Sequence, residues 1–250
     1  MNDMKDLAVI IFTEGFIFCC LQQYDNKKSN ELYAAIKLKK LLEKLSSGDY
    51  RIGLVIKREF RLKHLEGGQM TREEFNLFLG QEVEEDDSID VVLRRRRDEH
   101  SGKQEYYYQI KRFGLGKWAP CGTDKLTQFF EYYRIKFAAQ PYRSLVVTAF
   151  NTNASEPIEY GIVAQHLEES NHPCSEVILM QPYRGSSETA FRYVRLMPKP
   201  VNILDIDKKE MIESMTRAQP LDAMCPKDFV GGNGKALISA FEKLDDSLMK

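Results

Sequence analysis

No C-x-x-C pair, no H-E-x-x-H and no G-x-S-x-G occurs in this chain, and each absence removes a class of chemistry. The five cysteines, Cys19, Cys20, Cys121, Cys174 and Cys225, are odd in number and widely scattered. That pattern excludes a disulfide framework and a structural zinc site, and it points to a reduced, cytoplasmic compartment. His64, His100, His166 and His172 show no paired ligand spacing. Gly114-Leu115-Gly116-Lys117 and Gly231-Gly232-Asn233-Gly234-Lys235 lack a first glycine at Walker spacing, where Lys111 and Phe229 stand, and lack Ser or Thr after the lysine, so both read as turns. The apolar run from Leu7 to Leu21 is broken by Glu14 and Gly15, is too short to span a bilayer and precedes no small-residue cleavage site. It is expected to be a buried strand pair or a short buried helix, with no membrane partner. Internal repeats and low-complexity tracts are also missing.

What remains is an ordinary globular composition of 250 residues, 43% hydrophobic and 29% charged, long enough to bury one sizeable core. A net charge of -1 gives no global field for a polyanion, so any nucleic-acid contact must come from local segregation. Such segregation is present. Between Arg94 and Lys117 eight basic residues face three acidic ones, a local charge of +5, just after the acidic stretch Glu82 to Asp87.

Periodicity organises the chain as an α/β protein with a mixed central sheet flanked by helices. Ser29-Asn30 caps a helix over 31–45 with apolar residues at Leu32, Ile36, Leu38, Leu41, Leu42 and Leu45, ending at Ser46-Ser47-Gly48. Strand alternation follows from Tyr50 to Phe60, then the Gly67-Gly68 break and a short helix announced by Thr71-x-x-Glu74. Two strands, about 89–97 and 105–113, form a hairpin across Asp98 to Lys103. Thr123 opens a helix with Leu126, Phe129, Phe130, Tyr133 and Phe137 on one stripe, stopped by Pro141, and 144–150 reads as a buried strand. Beyond it come a helix over 160–169 and strands at 177–180 and 190–197. The expected division is a main domain over 1–202 and a helical appendage over 203–250, with helical stretches at 208–216 and 236–248.

The hairpin carries the chemistry. Alternation along a strand sends Gln109 and Lys111 to one face and Tyr108, Ile110 and Arg112 to the other. An antiparallel neighbour carrying Asp90 brings a carboxylate beside an amide oxygen and an ammonium. Mg²⁺ takes oxygen ligands and retains water, so Asp90, the Gln109 side-chain oxygen and the Ile110 backbone carbonyl form a candidate ligand set, with Mn²⁺ as a substitute. Lys111 would orient a water or neutralise charge developing on phosphate. Arg94 to Arg97, two of them on each face, are candidates for phosphate contact, against the plainer role of edge-protecting charge. Lys125, Gln128 and Lys136 read as a solvated helix face. Tyr106, Tyr107, Tyr108, Trp118, Tyr132 and Tyr133 are expected to be core or half-buried packing rather than base-stacking residues.

The hairpin with Asp90 and Gln109-Ile110-Lys111, set in the order helix, three strands, helix, strand over about 29–150, resembles the PD-(D/E)XK, or restriction-endonuclease-like, nuclease superfamily. It is most similar to branches, including Mrr-type restriction enzymes, in which Gln stands before x-Lys. The resemblance implies an αβββαβ core and a metal-dependent DNA endonuclease of restriction, defence or repair, a homodimer where both strands are cut. Asp90, Gln109 and Lys111 would be its triad. Glu31 of the first helix is the candidate for the additional glutamate such nucleases carry, with Glu43 as the alternative. Arg94, Arg96, Arg112 and Lys117 become the candidate DNA contacts. Two other readings stand beside it: a catalytically inactive module of the same fold that binds nucleic acid or protein, suggested by the neutral Gln109, and an interaction protein of unrelated α/β fold.

Overall fold

The computed structural model describes residues 7–11, 27–46, 48–57, 90–95, 105–114, 116–138, 144–149, 157–182, 189–207 and 209. They fall into two compact units, the first reaching to Tyr107 and the second beginning at Tyr108.

The first unit contains β1 (Leu7–Ile11), α1 (Lys27–Ser46), β2 (Tyr50–Lys57) and β3 (Val91–Arg95). The strands pair antiparallel with β2 in the middle: Leu7 lies opposite Lys57, Ile11 opposite Gly53, and Tyr50 opposite Arg95. Val91, Val92 and Leu93 are all buried, so β3 is covered on both faces, as a continuous apolar run requires. α1 packs on β2 and β3 and buries Ala34, Ala35, Leu38 and Leu41. The turn between α1 and β2 is closed by Ser46, whose Oγ donates to the Leu42 carbonyl at 2.7 Å and lies 2.7 Å from the Tyr50 hydroxyl. Gly48 packs closely there: a Cβ would lie 2.8 Å from the movable Arg95 Nε and 3.1 Å from the Tyr50 ring.

The second unit takes up β4 (Glu105–Phe113) from Tyr108 onward, followed by a 3₁₀ turn (Gly116–Trp118), α2 (Thr123–Ala138), β5 (Ser144–Ala149), α3 (Tyr160–Glu169), β6 (Glu176–Pro182), β7 (Thr189–Met197) and β8 (Asn202–Asp207). β4, β5 and β6 are parallel neighbours, while β6, β7 and β8 run antiparallel. Parallel neighbours cannot be joined by a tight turn, and α2 and α3 supply the crossovers. The α/β class with a mixed sheet is thus observed. β8 adds a strand where the sequence pattern left none, pairing Arg192 with Asp205 and Phe191 with Ile206. The expected helix at 71–74, the rest of the N-terminal run and the expected C-terminal helices lie outside the described residues, apart from Lys209. Among the described residues no helix is long and apolar enough to cross a membrane.

Sheet and helices of the second unit meet in one apolar seam. Phe113, Leu145, Val147, Val177, Leu179, Val194 and Leu196 from the strands pack with Leu126, Phe129, Phe130 and Phe137 of α2 and Val163 and Leu167 of α3. Phe129 is the hub: its ring centroid lies 5.4 Å from Phe113, 5.4 Å from Trp118, 5.7 Å from Phe130 and 4.8 Å from Tyr133. Such edge and tilted contacts add to the burial of large rings. Two thiols share the seam, Cys121 and Cys174, both buried and neither in a disulfide. Burial pushes the Cys121 thiol up to about 12. α3 ends in a Schellman turn, with Asn171 at a φ of 48°, its N–H donating to the Glu168 carbonyl at 3.0 Å and the His172 N–H to the Leu167 carbonyl at 3.0 Å.

That turn drives His172 into the seam, 5.7 Å from Phe130 and 6.0 Å from Phe137, with Nδ1 accepting the Cys174 N–H at 3.3 Å. Loss of solvation lowers its imidazole to about 4, with Arg134 and His166 adding to the effect and Glu131 opposing it. The unfolded chain therefore binds the proton more readily between about pH 6.5 and 4, and stability must fall as pH drops through that window. Urea unfolding at pH 7.5 and pH 4.5 is expected to lose up to about 3 kcal/mol through this residue. His172→Asn, which retains a polar side chain without a titrating ring, is expected to flatten that difference; an unchanged pH dependence in the variant would contradict the assignment.

Candidate functional site

The residues singled out by sequence divide between the units: Glu31 and Asp90 belong to the first, and Gln109, Ile110, Lys111, Arg112 and Lys117 to the second. In the first unit, Glu31 is buried on α1, and Asp90 is half-buried at the bend immediately before β3. Glu43, the alternative acid, is occupied by Lys39 at 3.3 Å in an i,i+4 pair on the partly exposed flank of α1. α1 also buries Lys37, which sequence reading passed over; loss of solvation lowers its ammonium to about 7. The clue was available in sequence, since Lys37 stands between the core residues Ile36 and Leu38.

In the second unit the register of β4 on β5 decides which way each side chain faces. Gln109 lies opposite Leu145, Lys111 opposite Val147 and Phe113 opposite Ala149. Phe113, Leu145 and Val147 belong to the seam under α2 and α3, so strand alternation sends Gln109 and Lys111 to that helix-covered side and Ile110 and Arg112 to the other. A solvent-facing strand would expose Gln109, yet it is only 4% exposed. Among the described residues its Oε1 has no hydrogen-bond partner. Buried acceptors are nearly always bonded, and leaving one unbonded costs about 1–3 kcal/mol. Lys111, two residues along the same side, is half-buried.

The opposite side of β4 is anchored by a group that sequence reading missed. Tyr108 is 1% exposed, and its hydroxyl donates, with that of Ser144, to the Glu176 carboxylate. Burial raises the Glu176 carboxyl, and the Arg195 charge and these two hydrogen bonds pull it back. No spacing rule could reveal it, because the group assembles from β4, β5, β6 and β7. Farther along the sheet, Arg192 binds Asp205 through a two-pronged pair at 2.7 and 2.9 Å, and the Tyr160 hydroxyl donates to Gln181 Oε1 at 2.6 Å.

Among the expected phosphate contacts, Arg112 and Lys117 are exposed, Arg94 is placed on β3 opposite Arg51, and Arg96 lies outside the described residues. The expectation of packing roles holds for Tyr108 and for Tyr133, which packs against the seam, but fails for Tyr132, which is 61% exposed. The reason is helical phase. Tyr132 follows Lys125 by seven residues and shares its flank of α2, away from the Leu126, Phe129 and Phe137 stripe.

As to a metal, among the described residues no three His, Cys, Asp or Glu side chains gather as ligands. The donor set of the second unit is neutral: the orphaned Gln109 Oε1 and the adjoining Ile110 carbonyl. Neutral oxygens of this kind suit a hard cation that keeps much of its water and takes its charge compensation elsewhere. Comparison with protein-family models, with curated proteins and with solved structures finds no match. The chemistry therefore rests on these residues alone.

An acceptor that folding leaves without a donor is a stability defect in metal-free buffer. Gln109→Leu, similar in size and without the amide, is expected to raise the urea midpoint in EDTA, corresponding to a gain of about 1 kcal/mol or more. A fall in the midpoint would mean that the amide is satisfied in solution.

Proposed function

We propose that this protein is a metal-dependent nuclease that hydrolyses DNA phosphodiester bonds, built on a restriction-endonuclease-like core. One observation carries the reading: the buried Gln109 oxygen without a donor, with Lys111 two residues along the same side of β4. Among the described elements the succession α1, β2, β3, β4, α2, β5 supports it, since the Gln-x-Lys strand is the third of them after the helix that bears Glu31.

In this reading Gln109 Oε1 and the Ile110 carbonyl would hold Mg²⁺ or Mn²⁺, with Asp90 the carboxylate ligand expected from the sequence, and the metal would supply an acidified water and stabilise charge on phosphate oxygens. Lys111 would stand beside the scissile phosphate, offsetting the negative charge that grows there or orienting the attacking water. Glu31 accepts a hydrogen bond from water and aligns it. Arg112 and Lys117, both exposed, attract the polyanion without reading its sequence.

The purified chain incubated with linear, circular and branched DNA is expected to cut in Mg²⁺ or Mn²⁺ and to stop in EDTA. Lys111→Ala and Asp90→Asn are each expected to reduce the rate on the order of 10²-fold or more. DNA left intact in both metals would overturn the proposal. The neutral Gln109 favours a second reading, a nuclease fold that binds nucleic acid without cutting it. Calorimetry with Mn²⁺ separates the two: a working enzyme takes up the metal in its native form, whereas the inactive module does so only after Gln109→Glu, if at all.

A further inference from the structure

β4 ends at Phe113, and the chain turns through Gly116, at a φ of 56°, into the 3₁₀ turn that presents Lys117 and Trp118 to the outer flank of α2. There the Lys117 ammonium stands 3.9 Å from the Tyr132 ring centroid and 4.7 Å from that of Trp118. Trp118 meets Tyr132 at 5.8 Å and 65° and is braced from below by Phe129 at 5.4 Å and 79°. Tyr132 remains 61% exposed, and Lys125 lies one heptad before it on the same flank. No described carboxylate pairs with Lys117. The patch therefore combines two packed aromatic rings, one of them largely in solvent, with an ammonium that no described carboxylate pairs.

We propose that Lys117, Trp118 and Tyr132 form a platform for single-stranded DNA, which deepens the nuclease reading and rests on it for the choice of nucleic acid. A nucleotide offers a phosphate for the ammonium and a flat base for the part of Tyr132 left in solvent. In a duplex the base faces are hidden, so the platform engages an unpaired stretch, where each stacked base contributes about 1–3 kcal/mol. Cation and ring cooperate here, because Lys117 is already positioned over the aromatics that a neighbouring base would meet. A strand seated here lies along the exit of β4, whose Phe113 touches the same Phe129 that braces Trp118. The substrate class follows: DNA with an unpaired segment, such as a flap, gap or branch.

Trp118 is the only tryptophan in the chain, so its emission reads the platform directly. The full-length protein is titrated with a twelve-residue oligothymidylate in EDTA, where no cutting occurs. Saturable quenching is expected, with no comparable response to inorganic polyphosphate or to a blunt DNA hairpin. Tyr132→Ala and Lys117→Ala should each weaken apparent affinity about tenfold, the range of one stacked base. Tyr132→Leu, with unchanged circular dichroism, guards against a folding effect. Unchanged emission, equal quenching by polyphosphate or hairpin, or wild-type affinity in Tyr132→Ala would overturn the platform. Cleavage without quenching would remove the platform alone, and quenching without cleavage in either metal would remove the nuclease alone.

Discussion

The second unit depends on the packing of one ring. Phe129 touches Phe113 at the end of β4, Trp118 in the following turn, and Phe130 and Tyr133 on its own helix. Through it the strand that carries Gln109 and Lys111, the turn that carries Lys117 and the helix that carries Tyr132 share a single anchor. A parallel strand pair is held together by its crossover helix as much as by its ladder, because the helix must cover the face that the strands leave apolar. Phe129 sits where that covering and the polar chemistry meet.

Much of this was legible in sequence, for reasons that can be traced residue by residue. The periodic apolar stripe after Thr123 and the alternation from Glu105 to Phe113 yielded α2 and β4 with their observed starting points, because long periodic segments encode burial directly. β8 was missed: Asn202–Asp207 is short and rich in polar residues, and it becomes a strand by pairing with β7, where Asp205 meets Arg192. That is a tertiary contact with no local signature. The same limit applied to the site. Alternation placed Gln109 and Lys111 on one face, but only the register on β5 and the position of α2 reveal that this face is the covered one. Tyr132 went the other way, because aromatic character argued for burial while its phase on the helix argued against it.

Charge in the second unit is arranged by side. On the helix-covered side β4 presents Gln109, neutral and with an Oε1 that lacks a partner among the described residues, and half-buried Lys111. On the other, Tyr108 and Ser144 feed hydrogen bonds into Glu176, which Arg195 balances. The two sides of one strand thus differ in kind. One closes its polar groups on each other and stiffens the strand, and the other leaves an acceptor open. Rigidity on the first side is what makes an open acceptor on the second usable, since a ligand atom is held only as firmly as the strand that presents it.

Burial of the two thiols of the seam has a chemical consequence of its own. A sulfur attacks, or is attacked by oxidants, as the thiolate, and Cys121, pushed up to about 12, carries almost none of that form at neutral pH. Cys174 is enclosed in the same apolar surroundings. The second unit therefore holds sulfur as packing material rather than as a reagent. At Cys121 the folded core offers oxidants almost no thiolate to attack.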